Sequence, residues 1–371
     1  MQTGAAKRWE RQRYARAGAR RPRSRSAPLT GLTSAAEQVW PAFALATGLL
    51  LVGVVAEHEG LFRAAGSALA RVPFGARGLL LVALALVALV TAILNLDTSV
   101  FFLTPVLLHL ARRRGVDERA FLYGAVFMSN AASLFLPGSN LTNLIVLHGE
   151  HVSGAAFFAR TWAPAFAAVA STALVLLLVF WTTLRDDTRP DTEHVRLHAG
   201  TGLLAVAVAV VLVLLLASPA LPVLAVGIVA VLVTRTTRAR ITAAVDVRVL
   251  GLLLALAVGL GWLGRAWHGP ASLFDSLGRP ATATLAAGFA VVLNNLPASV
   301  LLTPTPPVHA RALLLGLNLG PNLAVTGSLS ALLWLRVARS LGARPSIVTY
   351  SLLGLAVVPV SLAAALAATY A

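Results

Sequence analysis

Six long apolar runs without a charged residue constrain this chain more than any other feature. They are "GLLLVALALVALVTAIL" (78–94), "AFAAVASTALVLLLVFW" (165–181), "GLLAVAVAVVLVLLLA" (202–217), "VLAVGIVAVLV" (223–233), "LGLLLALAVGLGWL" (250–263) and "IVTYSLLGLAVVPVSLAAALAA" (347–368). Most approach the ~20 residues that a helix needs to cross hydrocarbon. None alternates in polarity as the strands of a membrane β-barrel do. Only 12% of the side chains are charged and 58% are hydrophobic, against about 25% charged in soluble domains. The expected class is an all-α polytopic protein of the cytoplasmic membrane, with the lipid bilayer as its first partner.

The net charge of +16 does not point to nucleic acid, because half of it sits in one place. Residues 1–26 carry nine basic side chains against Glu10 alone. We read 1–38 as a basic, disordered tail lying on anionic headgroups. No short apolar segment with a cleavage site follows it, so it is not a secretory signal. Later arginines fall in "RRRGVDER" (112–119), "RDDTRPDTEHVR" (185–196), "RTTRAR" (235–240) and "RVARSLGARPS" (336–346). The positive-inside bias places these four on the cytoplasmic side, and the Arg-poor "HGEHVSG" (148–154) and "SPALP" (218–222) outside. A single span at 40–56 would then leave the basic tail outside. That conflict predicts either a different natural start or another crossing or re-entrant piece within 57–77. The chain contains no Cys, which excludes disulfides and thiolate metal sites.

Two polar hexapeptides interrupt the apolar pattern: "NLDTSV" (95–100) and "NLPASV" (295–300), two hundred positions apart. Arginines at both ends of 78–111 and the break at 95–99 predict a re-entrant hairpin with the hexapeptide at its tip. The stretch 281–311 reads as a second hairpin entering from the opposite face. Each is followed by an apolar helix with a Gly/Pro-bearing polar patch, "SNAASLFLPGSNLTN" (129–143) and "LNLGPNLAVTGSLS" (317–330). Gly and Pro at such depth unwind a helix and free backbone groups. Hairpin then broken helix, twice and in opposite sense, is the inverted-repeat pattern of secondary transporters. The expected organisation is repeat 1 at 39–184 (hairpin 78–111, broken helix 119–148) and repeat 2 at 199–371 (hairpin 281–311, broken helix 312–336).

Half-helix ends at mid-depth can bind ions and polar solutes. The candidate substrate and ion ligands on these elements are Asn95, Asp97, Thr98, Ser99, Asn130, Ser133, Ser139, Asn140, Thr142, Asn143, Asn294, Asn295, Ser299, Asn318, Asn322, Thr326, Gly327 and Ser328. Each Asn, Ser or Thr taken singly could instead be a helix cap or an interhelical hydrogen bond. Among fourteen acidic residues, Asp97 alone lies inside an apolar segment. A carboxylate at that depth is expensive and marks function: protonated it suits a carrier of H⁺, ionised it suits Na⁺. The competing role is N-cap of the hairpin's second arm. "EHE" (57–59), "HGEH" (148–151) and "RDD" (185–187) match no metal-site spacing and read as loop polarity, and Gly227 and Gly354 as close-packing positions. No paired carboxylates, nucleophile motif or metal cluster lies at depth, so an enzyme is not expected.

The runs "NLDTSVFFLTPVLL", "SNAASLFLPGSNLTN", "NNLPASV" and "LNLGPNLAVTGSLSALLWLR" resemble the arsenite/antimonite efflux permease family. That family lies in the ion-transporter superfamily, with divalent anion/Na⁺ symporters and citrate transporters. The resemblance covers roughly 40–371. Its most specific part is Gly320, Pro321, Thr326–Leu329 and Leu332–Leu335. It implies hairpin tips at Asn95–Ser99 and Asn294–Ser299, and unwound helices at Asn130–Asn143 and Asn318–Ser328 that contact substrate and coupling ion. It also implies an elevator-like shift of the hairpin domain, a homodimer and, in some members, an ATPase subunit. The chain departs from the family in two places. Two scaffold helices ahead of Trp40 are lacking, and Leu96 stands where the family's Ala-Asn-Asp-Gly-Ala tip has Asn.

Arsenous acid is neutral and carries three hydroxyls, so Asn, Ser and Thr can hold it without a formal charge. The function expected is export of arsenite, antimonite or a similar small oxyacid in exchange for protons through Asp97. No cofactor is expected beyond the coupling ion, H⁺ or Na⁺. The alternative is a Na⁺-coupled carboxylate transporter of the same fold.

Overall fold

The computed structural model describes residues 27–148, 150, 152–184 and 200–370. Among them every regular element is a helix. A long α1 (Ala27–His58) and a short α2 (Leu61–Ala70) precede α3 (Ala76–Ile93) and α4 (Leu96–Arg114). Then come α5 (Glu118–Ala132), a 3-10 turn at Pro137–Ser139, α6 (Leu141–Val146) and α7 (Gly154–Val179). The second half has α8 (Thr201–Leu215), α9 (Ala220–Val233), α10 (Arg238–Ala244), α11 (Val247–Ala266) and α12 (Gly269–Asp275). It continues with α13 (Arg279–Leu293), α14 (Asn295–Leu302), α15 (Ala310–Leu319), 3-10 turns at Gly320–Leu323 and Val325–Gly327, α16 (Leu329–Ser340) and α17 (Ile347–Ala367).

Among the described residues, five segments are long and apolar enough to cross a membrane: Gly31–His58, Ala76–Ile93, Gly154–Val179, Arg238–Ala266 and Ile347–Ala367. Large apolar side chains such as Leu204, Leu215, Leu232, Leu252 and Leu355 point outward at more than 60% exposure. That surface suits hydrocarbon and would be costly in water. By contrast α1 is buried along most of its length, sandwiched between α9 and α11.

Several boundaries differ from the sequence reading. Helix α1 begins at Ala27, inside the stretch read as a tail; residues 1–26 lie outside the described residues, as does "RDD" (185–187). The first hairpin spans 76–114 rather than 78–111, and its second arm is the 19-residue α4. Pro105 does not end that arm, and the run 112–114 caps it as the basic last turn, ahead of Gly115 in the left-handed conformation. The 57–77 region holds only the ten-residue α2, roughly 15 Å long, which is too short to cross. In the second half α14 stops at Leu302, α15 starts at Ala310, and α16 continues to Ser340 through what had been read as loop.

The two halves pack reciprocally. Helix α4, after the first tip, lies against α16, the second arm of the other half's broken helix; α14, after the second tip, lies against α6. Within each half the first hairpin arm packs on the first arm of the broken helix, α3 on α5 and α13 on α15. Gly227 and Gly354 are close-approach sites, as read. A Cβ on Gly227 would lie 2.7 Å from the Gly48 carbonyl oxygen, and one on Gly354 would run into the Asn322 carbonyl. Because backbone rather than a flexible side chain is met, Gly354→Val should cost roughly 1–3 kcal/mol. The expected result is a lower melting temperature in detergent, whereas Gly251→Val, with open space around it, should melt like the parent.

Candidate substrate and ion site

Four helix N-termini converge where the chain is broken, each opened by a polar cap. Asn95 caps α4, its Oδ1 accepting from the Thr98 amide at 2.7 Å. Asn294 caps α14 through the Leu296 amide at 3.3 Å, from a positive-φ backbone (φ 75°, ψ 146°) outside the left-handed helical well. Asn140 caps α6 through the Thr142 amide, and Ser328 caps α16 through the Ala331 amide, both at 3.1 Å. Cap side chains that accept from the first-turn amides are what an interrupted helix needs when no water reaches its end.

A cavity of about 300 Å³ lies among these ends. Leu96 and Asp97 from the first tip, Asn295 and Leu296 from the second, Asn140 and Leu141, and Ser328–Ser330 all line it. Its remaining wall is mostly apolar, from α1 (Phe43, Leu50) and α11 (Leu250, Leu253), with Asp246 and Arg336 as further charges. Asp97 is 7% exposed, and its carboxylate has no hydrogen-bond or ion-pair partner among the described residues. It is not the N-cap; Asn95 holds that position and leaves Asp97 in the first turn, where the helix dipole favours its negative form.

Counted from the caps, Leu96 and Asp97 follow Asn95 as Asn295 and Leu296 follow Asn294, one residue off the register of the two hexapeptides. The cavity lining repeats that pairing, since these four residues reach it together. Pro297 sits in the first turn of α14, where the missing amide costs no helical bond.

Of the candidate ligands, Asp97, Asn140, Asn295 and Ser328 line the cavity. Asn130, Ser133, Asn143, Asn318 and Asn322 instead join the two broken helices to each other. Asn318 Oδ1 accepts from Ser133 Oγ at 2.5 Å and Asn140 Nδ2 at 2.7 Å, and its Nδ2 donates to Asn143 Oδ1 at 2.9 Å and the Leu314 carbonyl at 2.8 Å. That uses the full hydrogen-bonding capacity of one amide side chain. Asn143 Nδ2 donates on to the Ser133 and Leu136 carbonyls. One turn away, Asn130 Nδ2 donates to Asn322 Oδ1 at 2.8 Å, and Asn322 Nδ2 to the Phe127 carbonyl at 3.2 Å.

The other candidates bond to backbone carbonyls, mostly tying the hairpin arms to each other and to the helix breaks. Ser99 donates to the Val87 carbonyl, Ser139 to that of Ala92, Ser299 to that of Leu296 and Thr326 to that of Val291, while Asn294 Nδ2 donates to the Thr326 carbonyl. A Cβ on Gly327 would meet Pro321, so this glycine lets the two 3-10 turns close on each other. Asn95 Nδ2, Thr98 Oγ1 and Thr142 Oγ1 are buried with no hydrogen-bond partner among the described residues. They lie at the opening turns of α4 and α6 and are the uncommitted polar atoms of the first half's tip.

Two contributors escaped the sequence reading. Arg336 reaches the cavity because α16 carries it two turns past Ser328, whereas the charge pattern assigned it to a loop. Gln38 ties α1 to the second hairpin, its Nε2 donating to the Thr303 carbonyl at 3.0 Å and its Oε1 accepting from Arg265 Nη2 at 2.8 Å. An amide in an apolar helix with partners 227 and 265 positions away leaves no local signal.

Comparison with known proteins places this architecture. The chain is 28% identical over 144 residues to the silicon efflux transporter LSI3 of rice (Oryza sativa subsp. japonica). That match takes in 39% of this chain and only 30% of the relative's length. The fold is similar to the crystal structure of the YdaH transporter of Alcanivorax borkumensis, described as having an unusual topology. The TM-score is 0.51 at 15% identity, over 92% of this chain and 87% of that one. Residues 25–320 match the family described as citrate transporter (CitMHS). That span takes in both hairpins, the first broken helix and the start of the second, and on it the chain belongs to the citrate transporter family.

Proposed function

We propose that this chain is a secondary transporter that moves a small, hydroxyl-rich oxyacid of the arsenite, antimonite or silicic acid type across the cytoplasmic membrane in exchange for protons. The observation that carries this reading is the cavity shared by both tips and both helix breaks. Where the tips and breaks meet, its polar lining is amide, hydroxyl and the Asp97 carboxylate, with Asp246 and Arg336 on the remaining wall. Neutral oxyacids offer several O–H donors and acceptors, which Asn140, Asn295, Ser328 and Ser330 can match without a formal counter-charge. The similarity to a silicon efflux transporter supports a cargo of that chemistry. Asp97 is the group that takes up and releases the proton. The reciprocal packing of α4 on α16 and α14 on α6 supports a two-fold inverted repeat in which the cavity opens alternately to each side.

A second reading rests on Arg336. A guanidinium at the cavity suits a carboxylate cargo, in keeping with the family's description as citrate transporter. Against it, Asp97 and Asp246 outnumber that one arginine in the lining, so a multiply charged anion would need a co-bound cation such as Na⁺. Counterflow in proteoliposomes separates the readings. Vesicles preloaded with arsenite should accumulate external arsenite, and silicic acid should compete while citrate does not. Citrate counterflow that requires Na⁺, without arsenite exchange, would replace the first reading with the second.

A further inference from the structure

A second cavity, about 790 Å³, lies away from the helix breaks, between α1, α2, α4, α10 and α16. Three arginines from three separate elements face it, Arg63 of α2, Arg113 of α4 and Arg240 of α10, together with His109. Glu57 is the single carboxylate of the lining against three arginines. Arg63, His109, Arg113 and Arg240 are all exposed, and Arg240 Nη1 lies 2.8 Å from His58 Nδ1. The lining also has an apolar part, Phe101, Phe102 and Val106 of α4 with Val337 of α16. Phe102 is stacked on Phe62 at 5.1 Å, which fixes that part.

This cavity lies where the Arg-rich stretches 112–119, 235–240 and 336–346 meet; Arg112 Nη1 even donates to the Leu341 carbonyl at 3.1 Å. By the positive-inside bias this is the cytoplasmic end, next to the anionic leaflet. A small neutral oxyacid needs neither the arginines nor the aromatic wall, and the volume exceeds that of the central cavity more than twofold. An amphiphile uses both halves at once. We propose that this cavity binds an anionic phospholipid, its phosphate among Arg63, Arg113 and Arg240 and its upper acyl chain along Phe101, Phe102 and Val106. Because α4 follows the first tip and α10 leads into α11, a lipid seated there bridges the hairpin and the helices that wall the central cavity.

The test uses the purified full chain in detergent, titrated with phosphatidylglycerol or phosphatidylcholine and read by native mass spectrometry. Phosphatidylglycerol should bind preferentially. The double substitution Arg63→Gln/Arg240→Gln should weaken it about thirty-fold, as expected for two surface cations. Arg235→Gln/Arg238→Gln removes equal charge from the same face but outside the cavity, and should change binding by less than about threefold. Should the first double variant fail to fold, Arg63→Gln alone should give a loss of about fivefold. Equal losses in both double variants, no preference for phosphatidylglycerol, or displacement of the lipid by inorganic phosphate at equal concentration would each overturn the proposal.

Discussion

Asp97→Asn should abolish proton-coupled flux, to the level of empty vesicles, while leaving the protein folded in the membrane. The substitution keeps the side chain's shape and removes only its capacity to carry a proton. Asp97 is buried, unpaired among the described residues and in the lining of the cavity where both tips meet. An ionised carboxylate with no partner costs free energy to bury, so the asparagine variant should melt at the parent's temperature or above it. Loss of coupling together with retained stability separates a proton-carrying role from a structural one. The two measurements are pH-driven oxyacid flux and a melting curve on the same preparation. Unchanged pH-driven flux would remove Asp97 from the mechanism.

Asn318→Leu should have the largest effect on stability of any single change at the helix breaks. Leucine leaves Asn140 Nδ2 and Asn143 Oδ1 without their partner, while Ser133 Oγ still reaches the Asn130 carbonyl. Each buried group orphaned in this way costs roughly 1–3 kcal/mol. Polar groups in an unfolded membrane chain also find partners, which moves the expected total toward the lower end, about 2–3 kcal/mol. Transport should fall as well, because Asn140 both caps α6 and lines the cavity. A variant with parent-like melting and half or more of parent flux would show that the network is dispensable.

Much of this was legible in the sequence, for reasons that are local. Asn95, Asn294, Asn140 and Ser328 stand at the breaks because an N-cap must precede the amides it satisfies, and that pairing spans two or three residues. Helix α4 is longer than the sequence reading gave it because Leu96–Ser99, read as the break, form its first turn and Arg112–Arg114, read as loop, its last. Counted from the caps, Asn95 and Asn294, the two tips stand one residue off the register of the repeated hexapeptides. What could not be read is which asparagine faces the cavity and which faces another asparagine. Asn130 and Asn322 are 192 positions apart, and Asn318 is 175 from Asn143. Residue type is identical in both roles, and only the packing of one broken helix on the other assigns them. Arg336 and Gln38 were hidden for the same reason.

The most direct test of proton exchange for a small oxyacid at Asp97 is the proton movement itself. Proteoliposomes containing a pH-sensitive dye, held in Na⁺-free buffer, are given an inward gradient of arsenite or silicic acid. Exchange through Asp97 predicts that the lumen turns alkaline as oxyacid enters and protons leave, and that Asp97→Asn vesicles show no such change. A lumen whose pH is unaffected by either oxyacid, in vesicles that accumulate citrate only when Na⁺ is supplied, would contradict it.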